Sequence, residues 1–217
     1  MPSEIPALTG SGAALVLLMK LLSKPVREVG ELLTDYVRGW RLANLERIAQ
    51  KLDTKLRERQ LPPEIKPLPT GIGLVLVDAA SREEDDDLQS LWANLLANHT
   101  DPNAGVDLDK DILDVLHQMT SIDARLLIYL QTHSADIHTA LAGGFDTPRL
   151  ARDLRVEPPR IARSINNLWR LGCLVQEQAG PQRLDGMGLR VVGPTADDNV
   201  SYGLSPLGEA LLRAVRP

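Results

Sequence analysis

Cysteine is nearly missing from this chain: Cys173 is the single thiol in 217 residues. One thiol gives neither an internal disulfide framework nor a cysteine-built zinc site, a pattern that fits a reducing cytosol. Histidine is sparse as well. Of His99, His117, His133 and His138 only the last two lie close together. Their i, i+5 spacing does not stack two ligands on one helix face as i, i+4 would, so no metal is expected. Long apolar runs are lacking too. The longest candidate, Ala13 to Met19, ends at Lys20, far short of the roughly 18 to 20 residues that cross a bilayer as a helix. The leader Met1-Pro2-Ser3-Glu4 carries an acid where a basic segment would mark a signal peptide. A soluble cytoplasmic protein is the expectation, with no membrane contact. Positive charge is not in excess: a formal net charge of -5 argues against a polycationic nucleic-acid coat, because counterion release needs clustered Lys and Arg. Any nucleic-acid binding must be local.

Catalytic signatures are equally scarce. Gly143-Gly144 precedes a helix, but no Lys-Ser or Lys-Thr follows to complete a phosphate loop. No Ser, His and acid stand in a recognisable nucleophile context. Cys173 lies between a helix stop and a strand, where a small buried thiol is the plain reading. The expectation is a protein that is not an enzyme and takes no cofactor.

What is present is a helical pattern. With 43% apolar and 24% charged residues but 3% aromatics, the chain supports one sizeable core or two modest ones and is not disordered. Leu15, Leu18 and Leu22 mark a short helix. Val26, Val29, Leu33 and Val37, then Leu45, Ile48, Leu52 and Leu56, mark a long one to about Gln60, with Ser23 as cap and Pro25 in the first turn. Arg41 interrupts the stripe. Gly30 and Gly39 point to a kink or close packing, since each costs about 1 kcal/mol against Ala inside a helix. Leu61-Pro62-Pro63 ends the helix, and Pro67 and Pro69 belong to a connector.

The run Gly71 to Asp78 suits a buried strand or a short buried helix equally. The acids Glu83 to Asp87 precede an amphipathic helix with Leu88, Leu91, Trp92, Leu95 and Leu96. They complement its dipole, the alternative being a divalent-cation site. Trp92, Leu95 and Leu96 are expected in the core, with Asn94 and Asn98 exposed or capping. A turn cluster, Asp101 to Gly105, leads to a domain boundary that divides a helical domain, 1–106, from a second domain, 107–217.

The second half reads as helices over Leu126 to Leu130 with Ser121 as cap candidate, over Thr147-Pro148 to Leu154, and from Pro158-Pro159 through Ile161, Ile165 and Leu168 to a left-handed stop at Gly172. Strands follow at Leu174 to Gln178 and Val200 to Leu204, with a further candidate at Leu189 to Val192. Ser205-Pro206 opens a last helix. This order resembles a winged helix. Thr147 to Leu154 looks like the first helix of its turn, and Ile161 to Val175 resembles a recognition helix entering the wing. The fold class expected is mainly α: a helical domain with a long helix, then a winged helix with a small β-hairpin.

With Ile161, Ile165 and Leu168 inside, the outer side is expected to present Arg160, Arg163, Ser164, Asn167 and Arg170. Arg183 and Arg190 in the long tip complete the candidate DNA-binding set. Arg can pair with guanine edges, Asn with adenine, and Ser can hold a phosphate. The same face also suits a protein partner or plain solvation. From Ser121 onward eleven Arg face ten acids, a net +1, whereas residues 1–120 hold thirteen basic and nineteen acidic residues, a net -6. Six to ten phosphate contacts are typical of DNA binders, so a homodimer is expected.

Val29 to Asp35 with Arg41 to Leu45, then Asp86 to Asn98 containing Trp92-Ala93-Asn94-Leu95-Leu96-Ala97, and finally Ile112 to Leu116 with Asp123 to Leu127, resemble successive blocks of the bacterial abortive-infection alpha family. The resemblance covers nearly the whole chain. It implies a cytoplasmic bacterial protein associated with phage defence and brings no catalytic residues with it. The expected function is a non-enzymatic defence protein whose winged helix binds double-stranded DNA or a protein partner. The alternatives are a membrane-acting effector that inserts Leu15, Leu18 and Leu22, and a transcriptional regulator unrelated to defence.

Overall fold

The computed structural model describes residues 35–61, 68–133, 147–178 and 200–217. Among them the chain is mainly helical, as expected. It forms α1 (Asp35–Glu58), α2 (Thr70–Ser81), α3 (Asp86–Thr100), α4 (Lys110–Gln118), α5 (Ser121–Thr132), α6 (Thr147–Leu154), α7 (Pro158–Arg170), β1 (Leu174–Gln178), β2 (Val200–Leu204) and α8 (Pro206–Ala214). The described residues fall into two compact units. One runs to Gln118 and includes Arg213–Pro217; the other spans Met119–Leu212.

In the first unit, α1 buries Leu45, Ile48, Ala49, Leu52 and Leu56, the i, i+3, i+4 stripe, chiefly against α3. Trp92, Leu95 and Leu96 are fully buried in α3, and each large aliphatic side chain so placed contributes about 1.5–3 kcal/mol. Arg41, the break in the stripe, serves a different purpose: its Nη1 reaches Asp78 Oδ1 of α2 at 3.1 Å. Gly39 has open space around the position of a Cβ, so the close packing expected there is not present. Gly30 lies outside the described residues. Helix α1 ends in a Schellman turn, with Leu61 N–H donating to Leu56 O and Gln60 N–H to Arg57 O. Gln60 takes φ 54°, the left-handed position usually given to glycine.

The ambiguous run from Gly71 is a helix. Its period satisfied either structure locally; packing decides, because Leu76, Val77, Ala79 and Ala80 together form one buried side. The acids before α3 work as a helix start. Asp85 is the cap, accepting from the backbone N–H of Asp87 and Leu88, and Asp86 pairs with Lys51 at 2.8 Å. Asn94 and Asn98, expected to be exposed or to cap a helix end, are both buried. Asn98 Nδ2 donates to the carbonyls of Ala214 and Arg216 at 2.8 and 2.9 Å, and its Oδ1 accepts from Arg59 at 2.6 Å. The bond to Ala214 satisfies a carbonyl that the end of α8 leaves without an intrahelical partner, and the bond to Arg216 holds the residues that follow it. Helix α4, which the sequence pattern does not announce, begins where Asp109 accepts from Ile112 N–H at 2.9 Å, and it buries Ile112, Leu113, Val115 and Leu116.

In the second unit α7 packs on α5 and α6, and Ile161, Ile165 and Leu168 of α7 are buried, as are Leu126 and Leu127 of α5 and Leu150 and Leu154 of α6. Tyr129 Oη donates to Asp153 at 2.6 Å, tying α5 to α6. Strands β1 and β2 pair antiparallel, Leu174 opposite Leu204 and Gln178 opposite Val200, within the limits that the alternating pattern predicts. The candidate strand at Leu189 to Val192 lies outside the described residues. Ser205 caps α8 by accepting from Gly208 N–H at 2.9 Å, and its hydroxyl donates to Gly172 O. Gly208 is needed there, since a Cβ would lie 2.2 Å from Cys173 O.

Candidate functional site

Helix α7 is delivered by two local devices. Helix α6 stops at Arg155, φ 54°, in a second Schellman turn closed by Val156 N–H to Ala151 O and Arg155 N–H to Arg152 O. Glu157 then precedes α7 without a side-chain cap, and Pro158 and Pro159 occupy its first turn. Proline has no N–H, so two donors that would otherwise need a cap do not exist. At the far end Gly172 takes φ 75° as expected and turns the chain into β1.

The outer side of α7 carries Pro159, Arg160, Ala162, Arg163, Asn166, Trp169 and Arg170, all exposed. Arg160 and Arg163 make no side-chain contact with other described residues that would neutralise them. Trp169 is 56% exposed, unusual for the largest side chain. Arg152 and Arg155, from the end of α6, are exposed as well.

Two of the expected contact residues are placed otherwise. Ser164 is buried and donates its hydroxyl to Asp123 Oδ1 at 2.6 Å. Asn167 is half-buried and donates Nδ2 to Asp123 Oδ2 at 2.7 Å. The correction has a simple cause. Residues three and four apart share a helix side, so Ser164 belongs to the stripe of Ile161, Ile165 and Leu168, and Asn167 falls on its shoulder. Arg170 is exposed, but its Nε and Nη2 donate to Asn167 Oδ1 at 3.2 and 2.9 Å. Arg183 and Arg190 lie outside the described residues.

The residue that organises this side is Asp123, buried in the first turn of α5. Besides Ser164 and Asn167, Thr120 donates to its Oδ2 from the backbone N–H at 2.7 Å and from the hydroxyl at 2.9 Å. Thr120, not Ser121, is the cap, and the pair forms a capping box. A buried carboxylate needs such a shell, because an unpaired charge there would be very costly. Cys173 lies nearby. Burial, with the Asp123 charge adding, pushes its thiol up to about 11, so it is a poor nucleophile.

A family model described as abortive infection alpha matches residues 41–215. The chain belongs to the abortive infection alpha family. No curated protein and no solved structure matches it. In this abortive infection alpha protein the matched span starts at Arg41 and takes in α7, the hairpin and all of α8. Trp92-Ala93-Asn94-Leu95-Leu96-Ala97, the block on which the family resemblance rests most, is wholly buried. Among the described residues no group of three or more His, Cys, Asp and Glu is arranged to hold a metal. Among the same residues no helix is long and apolar enough to cross a membrane. Leu15, Leu18 and Leu22 lie outside them.

Proposed function

We propose that this abortive infection alpha protein is a non-enzymatic, cytoplasmic phage-defence protein in which α5 to α8 act as a winged helix and the outer side of α7 contacts double-stranded DNA. The observation that carries the reading is the pair Arg160 and Arg163. They stand exposed one turn apart on a helix whose opposite side is anchored by Ile161, Ile165 and Leu168. Guanidinium groups so presented match phosphates and guanine edges. The element order supports the module: two helices joined by a tight turn, then a hairpin, then a capped helix.

Counting Arg170, which Asn167 holds, α7 carries three Arg, roughly a third to a half of the six to ten phosphate contacts that stable DNA binding uses. The working form is therefore a homodimer, which doubles the contacts. Arg160→Glu combined with Arg163→Glu lowers duplex affinity at least about tenfold, since two like charges then face the phosphates; the thermal melt stays unchanged. Equal binding by the variant and the wild type rejects α7 as the contact.

Trp169 favours a second reading, a protein partner on the same side, because exposed aromatics are enriched at protein interfaces. A Trp169→Ala variant that keeps DNA affinity but loses a partner would shift the assignment to that reading.

A further inference from the structure

The hydrogen bonds around Asp123 run beyond the buried core and reach a surface cation. All four groups that the carboxylate accepts from are donors: Thr120 N–H, Thr120 Oγ1, Ser164 Oγ and Asn167 Nδ2. A carboxylate accepts only, so the Asn167 amide has one permissible orientation, with its NH2 inward and its Oδ1 outward. That Oδ1 accepts from both Nε and Nη2 of Arg170. Ionised partners make the stronger hydrogen bonds, and this arrangement has one at each end of the neutral amide.

We infer that Asp123 is a positioning residue which, through Asn167, holds the Arg170 guanidinium in place for a backbone phosphate of duplex DNA. The inference rests on the DNA reading of α7 and assigns a division of labour within it. The Nε edge of Arg170 is committed to Asn167, so this side chain does not swing to search a base edge. Its charge sits at a fixed place in the last turn of α7, as phosphate contacts that set register require. Arg160 and Arg163 keep the base edges. The arrangement also lowers the ordering cost on binding, because the rotamer is selected before DNA arrives.

The test uses the full chain and two labelled duplexes of unrelated sequence, titrated between about 50 and 200 mM salt. Arg170→Ala weakens both duplexes alike, roughly fivefold, and lowers the logarithmic salt slope by about 1. Asn167→Leu weakens both in the same way although the amide touches no DNA, and the double variant is no weaker than Arg170→Ala alone. Asn167→Leu binding like the wild type overturns the inference, as does an Arg170→Ala loss confined to one sequence.

In DNA-free protein the Arg170 Nε–H resonance is protected from exchange, and Asn167→Leu abolishes that protection. An unprotected wild-type resonance overturns the positioning role whatever DNA does. No wild-type binding to either duplex at low salt, with the resonance still protected, overturns the DNA reading and the phosphate assignment together.

Discussion

The Ser164 hydroxyl donates to the Asp123 carboxylate at 2.6 Å, joining two buried residues 41 positions apart in the chain. This bond settles how α7 is rotated. It turns Ser164 and the amide of Asn167 inward and leaves Arg163, Asn166 and Arg170 outward. The outer side is thus defined by a polar contact as much as by the aliphatic stripe.

Removing Asp123 is therefore expected to be far more damaging than removing one of its donors. Asp123→Ala leaves Ser164, Asn167 and the Thr120 N–H unsatisfied at once, a loss of about 3 kcal/mol or more. Ser164→Ala removes a single donor and costs roughly 1–2 kcal/mol. Urea unfolding of the two variants checks the order, and equal losses would contradict a shared hub.

Two glycines predict opposite outcomes for the same change. Gly208→Ala forces a Cβ against the Cys173 carbonyl and destabilises the protein by about 2 kcal/mol, as overpacking against rigid backbone does. Gly39→Ala meets open space inside α1 and adds about 0.5–1 kcal/mol of helix propensity. The sign of the change in Tm separates them.

The Asp78 carboxylate links Arg41 and Arg82. Its partial burial alone would raise the pKa, but the hydrogen bond and charge of Arg82, with Arg41, hold it below its ordinary value. A depressed carboxylate stabilises the fold above its unfolded pKa and loses that contribution as pH falls through the folded one. Asp78→Asn thus costs roughly 0.5 kcal/mol at neutral pH, a modest amount because the side chain is half exposed. The gap between variant and wild type closes below about pH 4, and melts from pH 7 to pH 2 measure it.

Cys173 is expected to resist thiol reagents. With its thiol pushed up to about 11 by burial and the Asp123 charge, the folded protein at pH 8 reacts roughly 100-fold more slowly than unfolded chain. Timed labelling with and without denaturant reads the ratio. Fast labelling of the folded form would place the thiol at the surface.

Much of the fold was legible because it rests on local rules. The stripe of α7, the stop at Gly172, the Ser205 cap and both strand limits follow from period, glycine and proline alone. Other features depend on distant partners. Nothing near Asn98 signals that the carbonyls of Ala214 and Arg216, more than a hundred positions away, will meet it. The Gly71 run needed its packing neighbours before helix could win over strand. At the candidate site the arginines of α7 could be read as exposed, since charged side chains are rarely fully buried unless paired. The inward turn of Ser164 was readable from its i+3 distance to Ile161. Its partner Asp123 was not, because no short-range pattern names a hydrogen-bond acceptor on another helix.

The central claim, that the outer side of α7 is a DNA-contacting surface, is tested most directly by duplex binding of the wild type beside the Arg160→Glu, Arg163→Glu double variant at low salt. The account predicts salt-sensitive wild-type binding that the variant loses by at least about tenfold while melting at the same temperature. Indistinguishable binding curves, or no binding by the wild type, would contradict it.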